Sequence, residues 1–169
     1  HWRVDTVGHN GALQTGAVWS FSTAPEPAMI YVDTTKNGNG SSWPDAYPEL
    51  QQALAAASAN TEIWWAEGTT KPTTTSDRAV SFDLKTDVAI YGGFPTGGGN
   101  GEFEARNPDA YVTVLSGDLN GDDGPDFTNR TDNSYHVVTA IAISNAIDSS
   151  ALLDGVRIRK GQADYDASA

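Results

Sequence analysis

Two kinds of hydrophobic pattern divide this chain. Residues 1–23, HWRVDTVGHNGALQTGAVWSFST, alternate at period two. Trp2 and Val4 fall on one face of an extended segment, with Arg3 and Asp5 on the other. Further on, Val18 and Ser20 alternate with Trp19 and Phe21. GHNGALQTG between them is rich in turn residues, so the region predicts a β-hairpin with a long loop. A lone two-stranded hairpin is marginal in water. It is expected either to dock on the rest of the chain or to belong to a larger sandwich.

From residue 29 the texture changes. MIYVDTT predicts a short apolar strand, and KNGNGSSWPDAYPEL a polar loop. In residues 49–59, Leu50, Ala53, Leu54 and Ala57 form one stripe, which predicts an amphipathic helix. Short apolar runs then recur at 62–66, 87–93, 111–116, 135–140 and 151–158, with centres about 19–26 residues apart. The segments between them are rich in turn residues. Strands so far apart cannot be hairpin neighbours, so the expectation is parallel stacking, one rung per repeat around a shared interior. The amphipathic helix is expected to seal the open first end of the stack.

Two resemblances follow from these stretches. WRVDTVG and TGAVWSFST resemble the last two strands of a fibronectin type III-like domain. IYVDTTKNGNGSSWPDAYPELQQALAAA, EIWWAEGTTKPT, SFDLKTDVAIYGGFP, TVLSGDL, DNSYHVVTA and LLDGVRIRKGQAD resemble, in order, the start of a bacterial right-handed parallel β-helix of the pectin-lyase-like superfamily. The resemblances imply an all-β chain. Residues 1–23 would be a fibronectin-type hairpin and 24–28 (APEPA) a proline-stiffened linker. Residues 29–169 would be the helix-capped N-terminal part of the β-helix. They also imply a fragment or processed product of a longer extracellular protein.

Charge narrows the partners. Asp and Glu number 22 against 10 Lys and Arg, for a net charge of −12. Nucleic acid and anionic membrane surfaces require clustered basic residues and are disfavoured. Divalent or other cationic partners are favoured. There is no cysteine, and no apolar stretch is long enough to span a bilayer. Abundant Gly, Thr, Asn, Asp and Ser with scarce Lys fits secreted bacterial proteins.

The densest chemistry lies in SGDLNGDDGPDF, residues 116–127. Asp118, Asn120 and Asp122 match positions 1, 3 and 5 of an EF-hand-like calcium loop, Gly124 could offer a carbonyl, and Asp126 falls at position 9. The match is incomplete. Asp123 stands where the pattern has glycine, and Asn129 where it has a bidentate acid. The alternative is a solvated acidic turn with Asn-Gly and Asp-Gly chemistry.

Other candidates are weaker. Arg157, Arg159, Lys160 and Asp154 cluster near one strand, as a polysaccharide lyase or glycosidase would need. The reading preferred is plain alternation, with Val156 and Ile158 inward and Arg157 and Arg159 on a solvated face. His1, His9 and His136 have no metal-ligand spacing. Of adjacent Trp64 and Trp65, one is expected in the core. The other, or Trp43, could stack on a sugar or pack within the protein. No catalytic residue is assigned. The expected role is a non-catalytic structural module of an extracellular or cell-surface protein, in adhesion, surface-layer or filament assembly, self-associating through open strand edges. The alternative is a polysaccharide-active enzyme or a glycan-binding β-helix.

Overall fold

A computed structural model describes residues 2–20, 22, 24–140 and 150–163. His1 and Phe21, both weighed above, lie outside the described residues. At the N-terminus, β1 (Trp2–Arg3) pairs antiparallel with β4 (Val18–Trp19), and β2 (Thr6–Val7) with β3 (Leu13–Gln14). This is the long-looped hairpin that period-two alternation predicts. Its apolar side chains Val4, Val7, Leu13 and Val18 are 62–69% exposed, so none of the other described residues covers them.

Every other sheet is parallel. β5 (Ala28–Val32) leads through a loop to helix α1 (Leu50–Ala56), and the chain returns as β6 (Thr61–Ala66) and β7 (Gly68–Thr70). There follow β8 (Phe82–Asp83), β9 (Val88–Phe94), β10 (Thr113–Ser116), β11 (Val138–Thr139), β12 (Leu152–Asp154) and β13 (Val156–Arg159). They form a four-stranded sheet in the order β12-β9-β6-β5, a three-stranded sheet β13-β10-β7 and a two-stranded sheet β11-β8.

Register makes the core. Ile30, Ile63, Ile90 and Leu153 are successive partners across the four-stranded sheet, and Thr70, Leu115 and Ile158 across the three-stranded one. Ile63, Ile90, Leu115, Val32, Trp65, Phe82 and Val88 close into one buried cluster with Leu50, Ala53, Leu54 and Ala57 from or beside α1. Alternation puts Tyr31, Trp64 and Tyr91 on the opposite face of the four-stranded sheet. There they pack with Trp43, Ala66 and Phe94 as a second, smaller cluster. Trp64 stacks on Phe94 with centroids 4.9 Å apart, and Phe103 closes over both. Trp65 is the core tryptophan. Trp64 and Trp43 are occupied by protein rings rather than held open for a sugar.

The expectation of an all-β right-handed parallel β-helix is corrected by these observations. The fold is mixed α/β, with parallel sheets and one α-helix among the described residues. Helix α1 is part of the main core rather than a lid outside it. Successive apolar runs stack as neighbours only at first, where β5, β6 and β9 pair in order. The run at 111–116 contributes β10, which pairs with β7 and β13 and not with β9. The run at 135–140 contributes β11, which pairs with β8. Even spacing of apolar runs reports burial, not the identity of the neighbouring strand. The missing partners, Gly68–Thr70 and Phe82–Asp83, are too short and polar to form an apolar run.

The helix ends earlier than its stripe suggests. Ala57, the C-cap, has extended backbone angles, and Glu49 is the N-cap without a side-chain cap bond. Between β12 and β13 the chain turns at Gly155, where φ is +70°. A Cβ there would lie 2.7 Å from the Gly92 carbonyl oxygen, so only glycine allows the two backbones to approach.

Candidate functional site: the acidic loop

β10 ends at Ser116, and the chain does not enter a sheet again until β11. The intervening loop carries five aspartates: Asp118, Asp122, Asp123, Asp126 and Asp132. Burying one of them organises the rest. Asp118 is 1% exposed. Its Oδ1 accepts the amides of Gly121 (2.6 Å) and Asp122 (3.1 Å). Its Oδ2 accepts the Asp123 amide at 3.3 Å and the Lys160 ammonium at 2.6 Å. A carboxylate offers about four lone-pair sites, and all are used here. Asp118 therefore winds the loop around itself and ties it to the residue that follows β13.

The electrostatics agree with that geometry. Burial penalises the ionised form of Asp118. The Lys160 hydrogen bond and the amides of Asp123, Gly121 and Asp122 outweigh it, and the pKa is held below the ordinary carboxylate value. The same hydrogen bond, against a smaller desolvation penalty, raises the pKa of Lys160. Both groups are thus charged across the neutral range.

Asp118, Asp122 and Asp132 each place a carboxylate oxygen within 4.8 Å of the others, a triad that could hold a metal ion. Asp132 was not singled out by the spacing. It comes from the far end of the loop, where its Oδ2 accepts the Asn120 amide at 2.8 Å. The other expected ligands fare differently. Asn120 contributes that backbone N–H. Asp126 is exposed and outside the triad. Gly124 donates its amide to the Thr128 carbonyl. Asn129, at the place of the bidentate acid, donates to the Asp122 carbonyl at 3.0 Å. Hydrogen bonds close the loop's two ends, 118–122 against 129–133.

At the base of the loop lie further polar groups. Asn133 is fully buried and its Nδ2 donates to Asp123 Oδ2 at 3.1 Å. Asn133 Oδ1 and Asp123 Oδ1 are both buried without a hydrogen-bond partner among the described residues. Lys71 reaches the loop from beyond β7 and donates to the Leu119 carbonyl at 2.9 Å.

The second cluster weighed from the sequence is divided among separate partners. Asp154 pairs with Arg106 at 3.0 Å. The hydrogen bond from Arg106, despite some burial, lowers its pKa. A carboxylate so held is a poor proton donor. Arg157 and Arg159 are exposed on β13 and make no ion pair among the described residues. His9 and His136 are exposed and belong to no metal-ligand group.

No protein-family model, characterised protein or solved structure matches this chain.

The loop geometry sets a mutational contrast. Asp118→Asn should lower unfolding free energy by about 1.5–3 kcal/mol, the scale of hydrogen bonds to a charged group. Asp126→Asn should stay within about 0.5 kcal/mol of the parent, as surface changes do. Because the folded pKa of Asp118 is depressed, its contribution is complete above the unfolded carboxylate value of about 3.9 and is lost as pH falls through the folded value. Urea titrations from neutral to acid pH should therefore find the gap between parent and Asp118→Asn closing below about pH 4.

Proposed function

We propose that the chain is a non-catalytic structural module of an extracellular or cell-surface protein, and that it assembles with further copies through open strand edges. The observation that carries this reading is the state of the terminal strands. β12, β13 and β11 are each the last strand of a parallel sheet among the described residues. Ile158 on β13 is the register partner of Leu115, yet Leu115 is 1% exposed and Ile158 52%. A core-facing column that runs into solvent, beside backbone groups with no ladder partner, is a template for another strand. Composition supports an external location: few lysines and a chain rich in Gly, Thr, Asn, Asp and Ser.

Within that reading, the acidic loop is a calcium site that stiffens the module. Calcium takes oxygen ligands from flexible loops; Asp122 and Asp132 supply carboxylates, and Asp118, whose lone pairs are taken by three amides and Lys160, holds the loop that presents them. Five aspartates close together repel one another, and a divalent cation would relieve what Lys160 and Lys71 leave uncompensated.

Two measurements check these readings. Thermal unfolding in calcium should have a higher midpoint than in chelator, by about 2–4 °C for each kcal/mol of binding free energy. Asp132→Asn should remove the difference, and equal midpoints for the parent protein would contradict the calcium site. Sedimentation velocity over a wide concentration range should find the average mass rising with concentration. A monomer throughout would contradict the assembly reading.

A further inference from the structure

A calcium ion takes about six to eight oxygen ligands, and the triad alone does not supply them. The lone pairs of Asp118 are already taken by three amides and the Lys160 ammonium. That leaves Asp122 and Asp132. Their chain neighbours, Asp123 and Asn133, also meet, with Asn133 Nδ2 donating to Asp123 Oδ2 at 3.1 Å. Asn133 is fully buried. The second oxygen of each side chain, Asn133 Oδ1 and Asp123 Oδ1, is buried with no hydrogen-bond partner among the described residues. Stranding one acceptor away from water is costly, and here two are stranded on a single bonded pair.

We infer that Asp123 Oδ1 and Asn133 Oδ1 are ligands of the loop's calcium ion, which they reach from the buried side. This rests on the calcium reading of the loop and extends its ligand set to two facing dipeptides, 122–123 and 132–133. Both added atoms are hard oxygens, a carboxylate and a side-chain carbonyl, the donor types calcium selects. The cationic side chains nearby go elsewhere. Lys160 donates to Asp118, Lys71 to the Leu119 carbonyl and Arg78 to the Asn133 main-chain carbonyl. The Arg130 guanidinium lies 4.3 Å from the centre of the Phe127 ring, and its Nε is itself buried without a partner. A buried water could accept from Arg130 and donate to both oxygens. Charge favours the cation. Five aspartates in the loop stand against Arg130 within it and Lys71, Arg78 and Lys160 from outside, five acids to four bases. A divalent cation answers that excess, and a neutral water does not.

Calorimetric titration of calcium into the chelator-stripped full chain tests this, with Asn133→Ala, Asn133→Asp and Asp123→Asn beside the parent. Asn133→Ala removes a ligand and Asp123→Asn removes a ligand's charge. Each should weaken calcium binding by roughly tenfold or more, the scale on which metal sites lose affinity when a supporting group is removed. Asn133→Asp keeps the oxygen and adds charge, so it should bind calcium more tightly than the parent. In chelator its thermal midpoint should fall, because Asp123 loses its donor. Asn133→Asp and Asp123→Asn decide the matter should Asn133→Ala fail to fold. Parent-like calcium affinity in the variants, with only the chelator midpoint lowered, identifies a buried water and overturns this inference while the calcium reading of the loop stands. A parent that binds no calcium removes both.

Discussion

A parallel strand cannot reach its neighbour by a tight turn; the chain must leave the sheet, cross over and return. That constraint shapes nearly everything beyond residue 28. The connections, whether they return the chain to the same sheet or carry it to another, differ in what fills them. Between β5 and β6 it is α1, whose Leu50, Ala53 and Leu54 enter the main core. Between β9 and β10 it is a loop that folds Phe103 and Arg106 over the aromatic face of the four-stranded sheet. Between β10 and β11 it is the acidic loop. The apolar columns hold the strands together, and the crossings decide what the molecule presents to its surroundings.

Until it reaches Val137 beside β11, the acidic crossing buries Asp118, Asn133 and Ser134 and no large apolar side chain, so it is held by charge and hydrogen bonds. Asp118 replaces the hydration it loses with three amides and one ammonium. Such a bond is sensitive to removal of either partner, because the survivor is left buried or unmatched. Lys160 also fastens the loop to the end of β13, next to the open edge.

The hairpin, the helix and the core strands were legible in the sequence because each has a clean period: two for the hairpin, the i, i+3, i+4 stripe for α1, and dense apolar runs at Ile63 and Ile90. The pairing was not. β7 and β8 carry Gly68, Thr69, Thr70 and Asp83, which read as loop, and their role follows only from the strands beside them. The fold class failed for that reason and because the helix stripe does not say whether it faces an end or a shared core. In the acidic loop, spacing found Asp118 and Asp122 and missed Asp132, since loop closure brings together residues far apart in the chain. The backbone N–H groups of Asn120 and Gly124 help to close the loop, which spacing does not show.

The central claim is that α1 and the parallel strands share one core and so one stability. Native-state hydrogen exchange measures this directly. The account predicts that amides of Leu54 in α1, Ile63 in β6, Ile90 in β9 and Leu115 in β10 exchange with a common free energy, equal to that of global unfolding. If Leu54 exchanged far faster than Ile63 and Ile90, with a free energy well below the global value, α1 would be an appendage and the shared core would be contradicted.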